Sequence, residues 1–80
     1  MTITVRFFAA ASDAAGAEEV QFPASTLQEF IDAAVDKYGE PMAKLMPACS
    51  FLLDGVAAND RDTRLPAGST LDVLPPFAGG

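Results

Sequence analysis

Hydrophobic and polar residues alternate along the first part of the chain. Residues 2–8 place isoleucine, valine and phenylalanine on one face and threonine and arginine on the other, which is the period of a half-buried β-strand. Residues 18–22 alternate in the same way before Pro23 ends the run, and residues 9–16 between them are small and turn-prone. We therefore predict two strands that form a hairpin with a long connection.

The next hydrophobic period is that of an α-helix. Apolar side chains recur at positions 27, 30, 31, 34, 35 and 38, which places them on one face of a helix. Thr26 and Glu29 have the spacing of a capping box, Gly39 suits the position after the last turn, and Pro41 stops continuation. We predict an amphipathic helix between Thr26 and Gly39.

Shorter elements are predicted in the second half of the chain. They are a helical turn at residues 42–46, strands at 49–53, 56–58 and 70–74, and turns at 54–55 and 65–68. In the last strand, Leu71 and Val73 take the core side. One helix on one face of a small mixed sheet is an α+β arrangement.

Composition narrows the class of protein. The chain has 80 residues, of which 50% are hydrophobic and 20% charged, as in a single soluble domain. Its net charge of −6 disfavours nucleic acid and anionic membranes as partners, and no apolar run is long enough to span a bilayer. A single cysteine and the lack of an apparent signal peptide lead us to expect a cytoplasmic protein.

Few side chains offer catalytic chemistry. The sequence has no histidine, which excludes Ser-His-Asp and Cys-His pairs and removes the commonest metal ligand. Cys49 has no companions for a zinc site and is interpreted as a small buried residue, while Met42 and Met46 are interpreted as core filler. We expect no metal, no bound cofactor and no autonomous enzyme activity.

The last residues suggest another kind of chemistry. Pro75 and Pro76 end sheet pairing, so we divide the chain into a folded domain, residues 1–74, and an extended tail, residues 75–80. The tail ends in Gly79-Gly80, which passes a narrow channel easily and offers only its carboxylate. At neutral pH that group is an anion and a poor electrophile, so another protein must activate it.

With these features the chain resembles the MoaD/ThiS sulfur-carrier family of ubiquitin-like β-grasp proteins. The resemblance lies in Arg6-Phe7-Phe8-Ala9, in Leu65 followed by the Gly68 turn, and above all in residues 75–80. The two prolines before the tail are closest to the small subunit of molybdopterin synthase.

The resemblance implies a mechanism. An E1-like adenylating enzyme would use ATP to adenylate the carboxylate of Gly80, and a sulfur donor protein would convert it to a thiocarboxylate. The large subunit of molybdopterin synthase would then receive the tail and use the sulfur for the dithiolene of molybdopterin. We expect partner contacts from an exposed Leu74 beside Phe77, and the full set of expected contact residues is Leu65, Leu74, Pro75, Pro76, Phe77 and Ala78.

The sequence departs from the family pattern at three places. It has Ser12-Asp13 where the family often has Arg-Glu, Asp54-Gly55 for a usual Asn-Gly turn, and Ser69 for a common acid. Ser12 removes an arginine expected to contact the partner. Three alternatives stay open: a carrier for thiamine or amino-acid biosynthesis, a ubiquitin-like modifier joined to lysines through Gly80, and a docking module with an inert terminus.

Overall fold

A mixed sheet of five strands organises the part of the chain that the computed structural model describes, residues 2–76. The elements in chain order are β1 (Ile3–Phe7), α1 (Ala10–Ala15), β2 (Glu19–Phe22), α2 (Leu27–Tyr38), α3 (Glu40–Leu45), a 3-10 turn (Met46–Ala48), β3 (Ser50–Leu53), β4 (Val56–Ala57) and β5 (Thr70–Leu74). The predicted α+β class, with one main helix against a mixed sheet, is confirmed.

The last strand occupies the centre of the sheet. The strand order is β2-β1-β5-β3-β4, with β5 parallel to β1 and antiparallel to β3. The predicted pairing of the first two strands is also confirmed, since β1 and β2 run antiparallel from Ile3↔Phe22 to Arg6↔Glu19. The chain segment after β5 therefore leaves from between two neighbouring strands.

Helix α2 begins and ends where its capping residues predict. The Thr26 hydroxyl accepts the Glu29 backbone N–H at 3.2 Å, and the Glu29 carboxylate accepts the Ser25 N–H at 2.8 Å. At the other end Gly39 adopts φ 83° and its N–H donates to the Val35 carbonyl at 2.8 Å. The carboxylate thus satisfies the residue before Thr26, one position earlier than in the standard capping box.

The core lies between α2 and the inner face of the sheet. The Phe30 ring meets the Phe22 ring edge-on, with the ring centroids 5.2 Å apart. The centroid of the Phe7 ring lies 6.4 Å from that of Phe30. Met42 and Met46 are 0% and 2% exposed, which confirms their interpretation as core residues. They belong to the same buried cluster as Phe30 and Phe22.

The segment after β1 is a helix, and the prediction of a turn over residues 9–16 was wrong. Alanine is the best helix former, and four of the six residues of α1 are alanines. Gly16 ends the helix in the left-handed conformation, at φ 71°. No side chain caps its beginning, so the sequence lacks the usual signal for a helix start.

The chain between α2 and β3 is also more helical than predicted. Helix α3 starts at Glu40 and takes Pro41 into its first turn, where a missing backbone N–H costs no hydrogen bond. Gly39 therefore ends one helix and begins the next, and Pro41 marks a change of direction. The predicted turn at residues 42–46 corresponds to the later part of α3 and the first residue of the 3-10 turn.

The Asp54-Gly55 turn is confirmed: both residues have positive φ, 49° and 86°, and they join β3 to β4. The later turn lies one residue beyond its predicted place, because the Ser69 N–H donates to the Pro66 carbonyl at 3.0 Å. Leu65, just before this turn, is only 4% exposed and belongs to the core. Its side chain packs inward, which disfavours the predicted contact with a partner, and that contact stays a prediction.

Candidate functional site

The candidate site is built around the end of β5. Leu74 is the last residue of this strand and pairs with Ser50 of β3. On the other side the Phe8 N–H donates to the Val73 carbonyl at 3.2 Å, so both neighbouring strands hold the strand end. Pro75 has no N–H to donate, and sheet pairing stops there. The strand end is thus a fixed base for the residues that follow.

The predicted tail is described only at its first two residues. Pro75 is buried and Pro76 is exposed, so they differ as candidates for partner contact. The predicted contact residues Phe77 and Ala78, and the predicted reactive residues Gly79 and Gly80, lie outside the described residues. The boundary between domain and tail at residue 75 stays a prediction.

Arg6 and Asp72 form an ion pair on the outer face of the sheet, the face turned away from α2. They are direct partners in the parallel pairing of β1 and β5. The Arg6 Nε lies 2.6 Å from Asp72 Oδ1 and its Nη2 lies 2.8 Å from Oδ2, so both carboxylate oxygens accept a hydrogen bond. These hydrogen bonds and the negative charge of Asp72 raise the pKa of Arg6 above its ordinary value.

Sequence reasoning missed this pair. Arg6 was assigned to the polar side of the first strand, and Asp72 received no role. The available signal was an acid enclosed by Leu71 and Val73 in an apolar strand, since such a residue needs a partner when it is buried. Parallel pairing of the first and last strands is not readable from local pattern, so the partner stayed unidentified.

Three apolar side chains surround the ion pair. Phe8 is 37% exposed and its ring centre lies 5.7 Å from the guanidinium carbon of Arg6. Leu52 faces the same side, as the register partner of Asp72, and Leu74 follows by strand alternation. Both leucines are half-buried. The predicted outward direction of Leu74 therefore agrees with the register, and we call Phe8, Arg6, Leu52, Asp72 and Leu74 the docking face.

A shallow open cleft of about 420 Å³ borders the docking face on the side of α1. Arg6, Phe8, Ser12 and Glu19 line it together with their neighbours. The Ser12 hydroxyl donates to the Ala9 carbonyl at 2.7 Å, inside its own turn. Ser12 thus lines the cleft next to the predicted partner surface.

The remaining candidate chemistry is structural. Cys49 is buried, as predicted, and burial raises the pKa of its thiol, which keeps it in the unreactive protonated form. Residues 2–76 contain no group of three histidine, cysteine or acidic side chains arranged to hold a metal ion. In this same part of the chain, every helix is too short or too polar to cross a bilayer.

Comparison with known proteins connects this geometry to a family. A sequence model of the ThiS family matches residues 5–80. No curated protein sequence matches the chain. SAMP1 from Haloferax volcanii has the same fold, with a TM-score of 0.79 and 23% identity over 100% of both chains.

Two further similar structures are complexes. A chain in the complex of subunits 1 and 2 of molybdopterin-converting factor from Helicobacter pylori matches with a TM-score of 0.72 and 26% identity over 100% of both chains. A chain in the Amycolatopsis orientalis BexX/CysO complex matches with a TM-score of 0.80 and 20% identity, over 98% of this chain and 99% of that chain. The fold is therefore the predicted ubiquitin-like β-grasp. The chain belongs to the ThiS family of ubiquitin-like sulfur carriers.

Proposed function

We propose that this protein carries sulfur on the carboxylate of Gly80, as the small subunit of molybdopterin synthase. Adenylation comes first: a carboxylate oxygen attacks the α-phosphate of ATP in the activating enzyme, and pyrophosphate leaves. A sulfide equivalent from a sulfur donor protein then attacks the acyl carbon, and AMP leaves with one of the original oxygens. The product is a thiocarboxylate, which the large subunit uses to build the dithiolene.

The observation that carries this proposal is the match of the family over residues 5–80, which includes the two terminal glycines. The H. pylori chain that is 26% identical belongs to a complex of molybdopterin-converting factor subunits. Pro75-Pro76 favours this branch of the family over the thiamine branch. In this role the protein supplies the sulfur-bearing carbon and a docking surface, while the catalytic side chains belong to its partners.

The geometry of the strand end supports the role. Neighbouring strands hold Val73 and Leu74 on both sides, so the following residues start from a fixed position. Fixing one end of a short segment reduces the freedom that a partner must remove when it takes the other end. The docking face at the same place, with apolar side chains around an ion pair, gives the partner a surface to bind while the tail enters its site.

The test is intact-mass spectrometry of the protein after incubation with ATP, a sulfide source and the activating enzyme of the same genome. We expect a mass increase equal to the exchange of one oxygen for one sulfur. A variant that lacks Gly80 is the matched control and should stay unmodified. If the wild type stays unmodified while a known carrier is converted by its own enzyme, the sulfur-carrier role is wrong.

Three further measurements distinguish the molybdopterin role from the alternative functions. Addition of the large synthase subunit and the pyranopterin precursor should consume the thiocarboxylate and return the original mass. Consumption only by a thiazole or amino-acid synthase would assign the protein to the alternative carrier roles. Adducts with lysines that survive thiol reductants would instead show a protein modifier.

A further inference from the structure

The ion pair of Arg6 and Asp72 lies in the middle of the docking face. Asp72 pairs with Arg6 on one side and with Leu52 on the other, and Phe8 lies under the guanidinium. Any protein that takes the tail while it covers Leu74 and Phe8 must also cover this pair. A docking face with a charged centre differs from a uniformly apolar one in the partners that it accepts.

The two members of the pair are buried to different degrees. The Asp72 side chain is 9% exposed and the Arg6 side chain is 48% exposed, so the carboxylate is covered while the arginine stays accessible to a partner. Nε and Nη2 donate to Asp72, and the described residues provide no acceptor within hydrogen-bond distance of Nη1. A partner that covers Arg6 must therefore supply an acceptor for this nitrogen, because a covered donor without an acceptor is unfavourable.

The charge of Arg6 is already balanced within the chain. Asp72 neutralises it directly, and Glu19 lies opposite Arg6 on the neighbouring strand β2. Both carboxylates contribute to the raised pKa of Arg6. A third carboxylate from a partner would be repelled by the two that are present. The best complement is therefore an uncharged oxygen, either a backbone carbonyl or a side-chain amide.

We propose that Arg6 and Asp72 determine partner specificity, and that the activating enzyme places an uncharged hydrogen-bond acceptor on the Arg6 guanidinium when it binds the docking face. This inference rests on the proposed function, because it names the protein that covers the face. Asp72 acts through Arg6: it fixes the guanidinium by accepting hydrogen bonds from Nε and Nη2, which leaves Nη1 for the partner. An enzyme with an apolar surface at this position binds weakly, because it would cover the ion pair without giving the guanidinium an acceptor.

The test is the rate of thiocarboxylate formation as a function of carrier concentration, for the wild type and two variants. The double variant Arg6→Leu/Asp72→Leu removes both charges, and Arg6→Lys keeps the charge but loses the two-pronged geometry. We expect KM to rise about tenfold in both variants, the effect of one lost hydrogen bond to a charged group, with kcat unchanged. Arg64→Leu is the control, because Arg64 lies beside the start of α2 and should leave KM unaltered.

Three results would overturn the inference. Equal KM values for wild type and variants would show that the pair is not read by the enzyme, and a lower KM in the double variant would show that the face is used as an apolar surface. A wild-type KM that rises steeply with salt, with no such rise in the double variant, would show a carboxylate acceptor. A wild-type KM that is insensitive to salt supports the uncharged acceptor.

Separate controls are needed for the folding of the variants and for the proposed function. Circular dichroism and thermal unfolding check that each variant is folded, and Asp72→Asn provides a milder change if the double variant does not fold. In that variant KM should also rise, because the guanidinium loses its fixed orientation. If the wild type itself forms no thiocarboxylate, the proposed function fails; if it forms normally with the same KM as the variants, only the present inference fails.

Discussion

Asp54 and Thr70 are joined by two hydrogen bonds. The Thr70 N–H donates to the Asp54 carboxylate at 2.9 Å, and the Asp54 N–H donates to the Thr70 carbonyl at 2.8 Å. Asp54 lies in the hairpin turn between β3 and β4, and Thr70 is the first residue of β5. The turn that sequence pattern identified as local is thus also the anchor for the beginning of the central strand.

Replacement of Asp54 should reveal both of its roles. Asp54→Ala loses the side-chain hydrogen bond and places an alanine at φ 49°, and we expect the free energy of unfolding to fall by about 2 kcal/mol. Asp54→Asn keeps an acceptor oxygen and tolerates positive φ, and should cost less than about 0.5 kcal/mol. Urea unfolding measures both. Because only Asp54→Asn keeps the acceptor and tolerates positive φ, equal losses in the two variants would show that neither feature accounts for the change in stability.

Ala9 holds a conformation that favours glycine. Its φ is 50° and its ψ is −126°, at the turn that carries the chain from β1 into α1. Because a Cβ atom is strained there, Ala9→Gly should raise the free energy of unfolding by about 1 kcal/mol. Ala10→Gly, at the first residue of α1, is the control and should lower it slightly. A loss of stability in the Ala9 variant would contradict the strain.

Stability should decline in mild alkali through Cys49. Burial raises the pKa of its thiol, so the native protein keeps this proton at a pH where the unfolded chain loses it. The contribution is complete below about pH 8.5, the ordinary cysteine value, and is lost as pH rises towards the native pKa. Urea unfolding near pH 7.5 and near pH 9.5 measures the loss, whose slope is at most about 1.4 kcal/mol per pH unit for one proton.

The control for this pH effect is Cys49→Ala, which removes the thiol. Its stability should fall less than that of the wild type over the same interval. The phenol of Tyr38 also has a pKa raised by burial, so both proteins should lose further stability above about pH 10. Parallel curves for the wild type and the variant below that pH would exclude Cys49 as the source.

Leu74→Glu tests the docking face. A charge beside Asp72 and among apolar neighbours should weaken binding of the activating enzyme at least about tenfold, because an apolar contact is lost and a carboxylate must be desolvated. Val56→Glu is the matched control, since Val56 is 69% exposed on the edge strand β4 and lies away from the end of β5. Isothermal titration calorimetry compares the two. Equal affinities would remove Leu74 from the interface.

Local pattern predicted the elements with strong local signals. The capped helix α2, the Asp54-Gly55 turn and the alternating strands follow from spacing within a few residues. Helix α1 was not predicted because a strained Ala9, and not a capping side chain, stands at its start. The burial of Leu65 was not foreseen either, because its backbone N–H donates to the Ser25 carbonyl, 40 residues away in the chain.

Local sequence pattern likewise predicted only part of the candidate site. The outward direction of Leu74 follows from alternation, and it agrees with the register. The pairing of Arg6 with Asp72 joins positions 66 residues apart, and no local signal reports it. Such contacts depend on the topology of the whole sheet. The predicted reactive residues Gly79 and Gly80 lie outside the described residues and stay predictions.

The middle strand of the sheet, β5, is also the last strand in the chain, so the sheet can be completed only after that strand has been synthesised. Until residue 74 has been made, β1 and β3 lack the strand that separates them, and the sheet has no middle. An incomplete or truncated chain therefore offers no finished surface for recognition. Only a folded chain that includes β5 presents that surface to a partner.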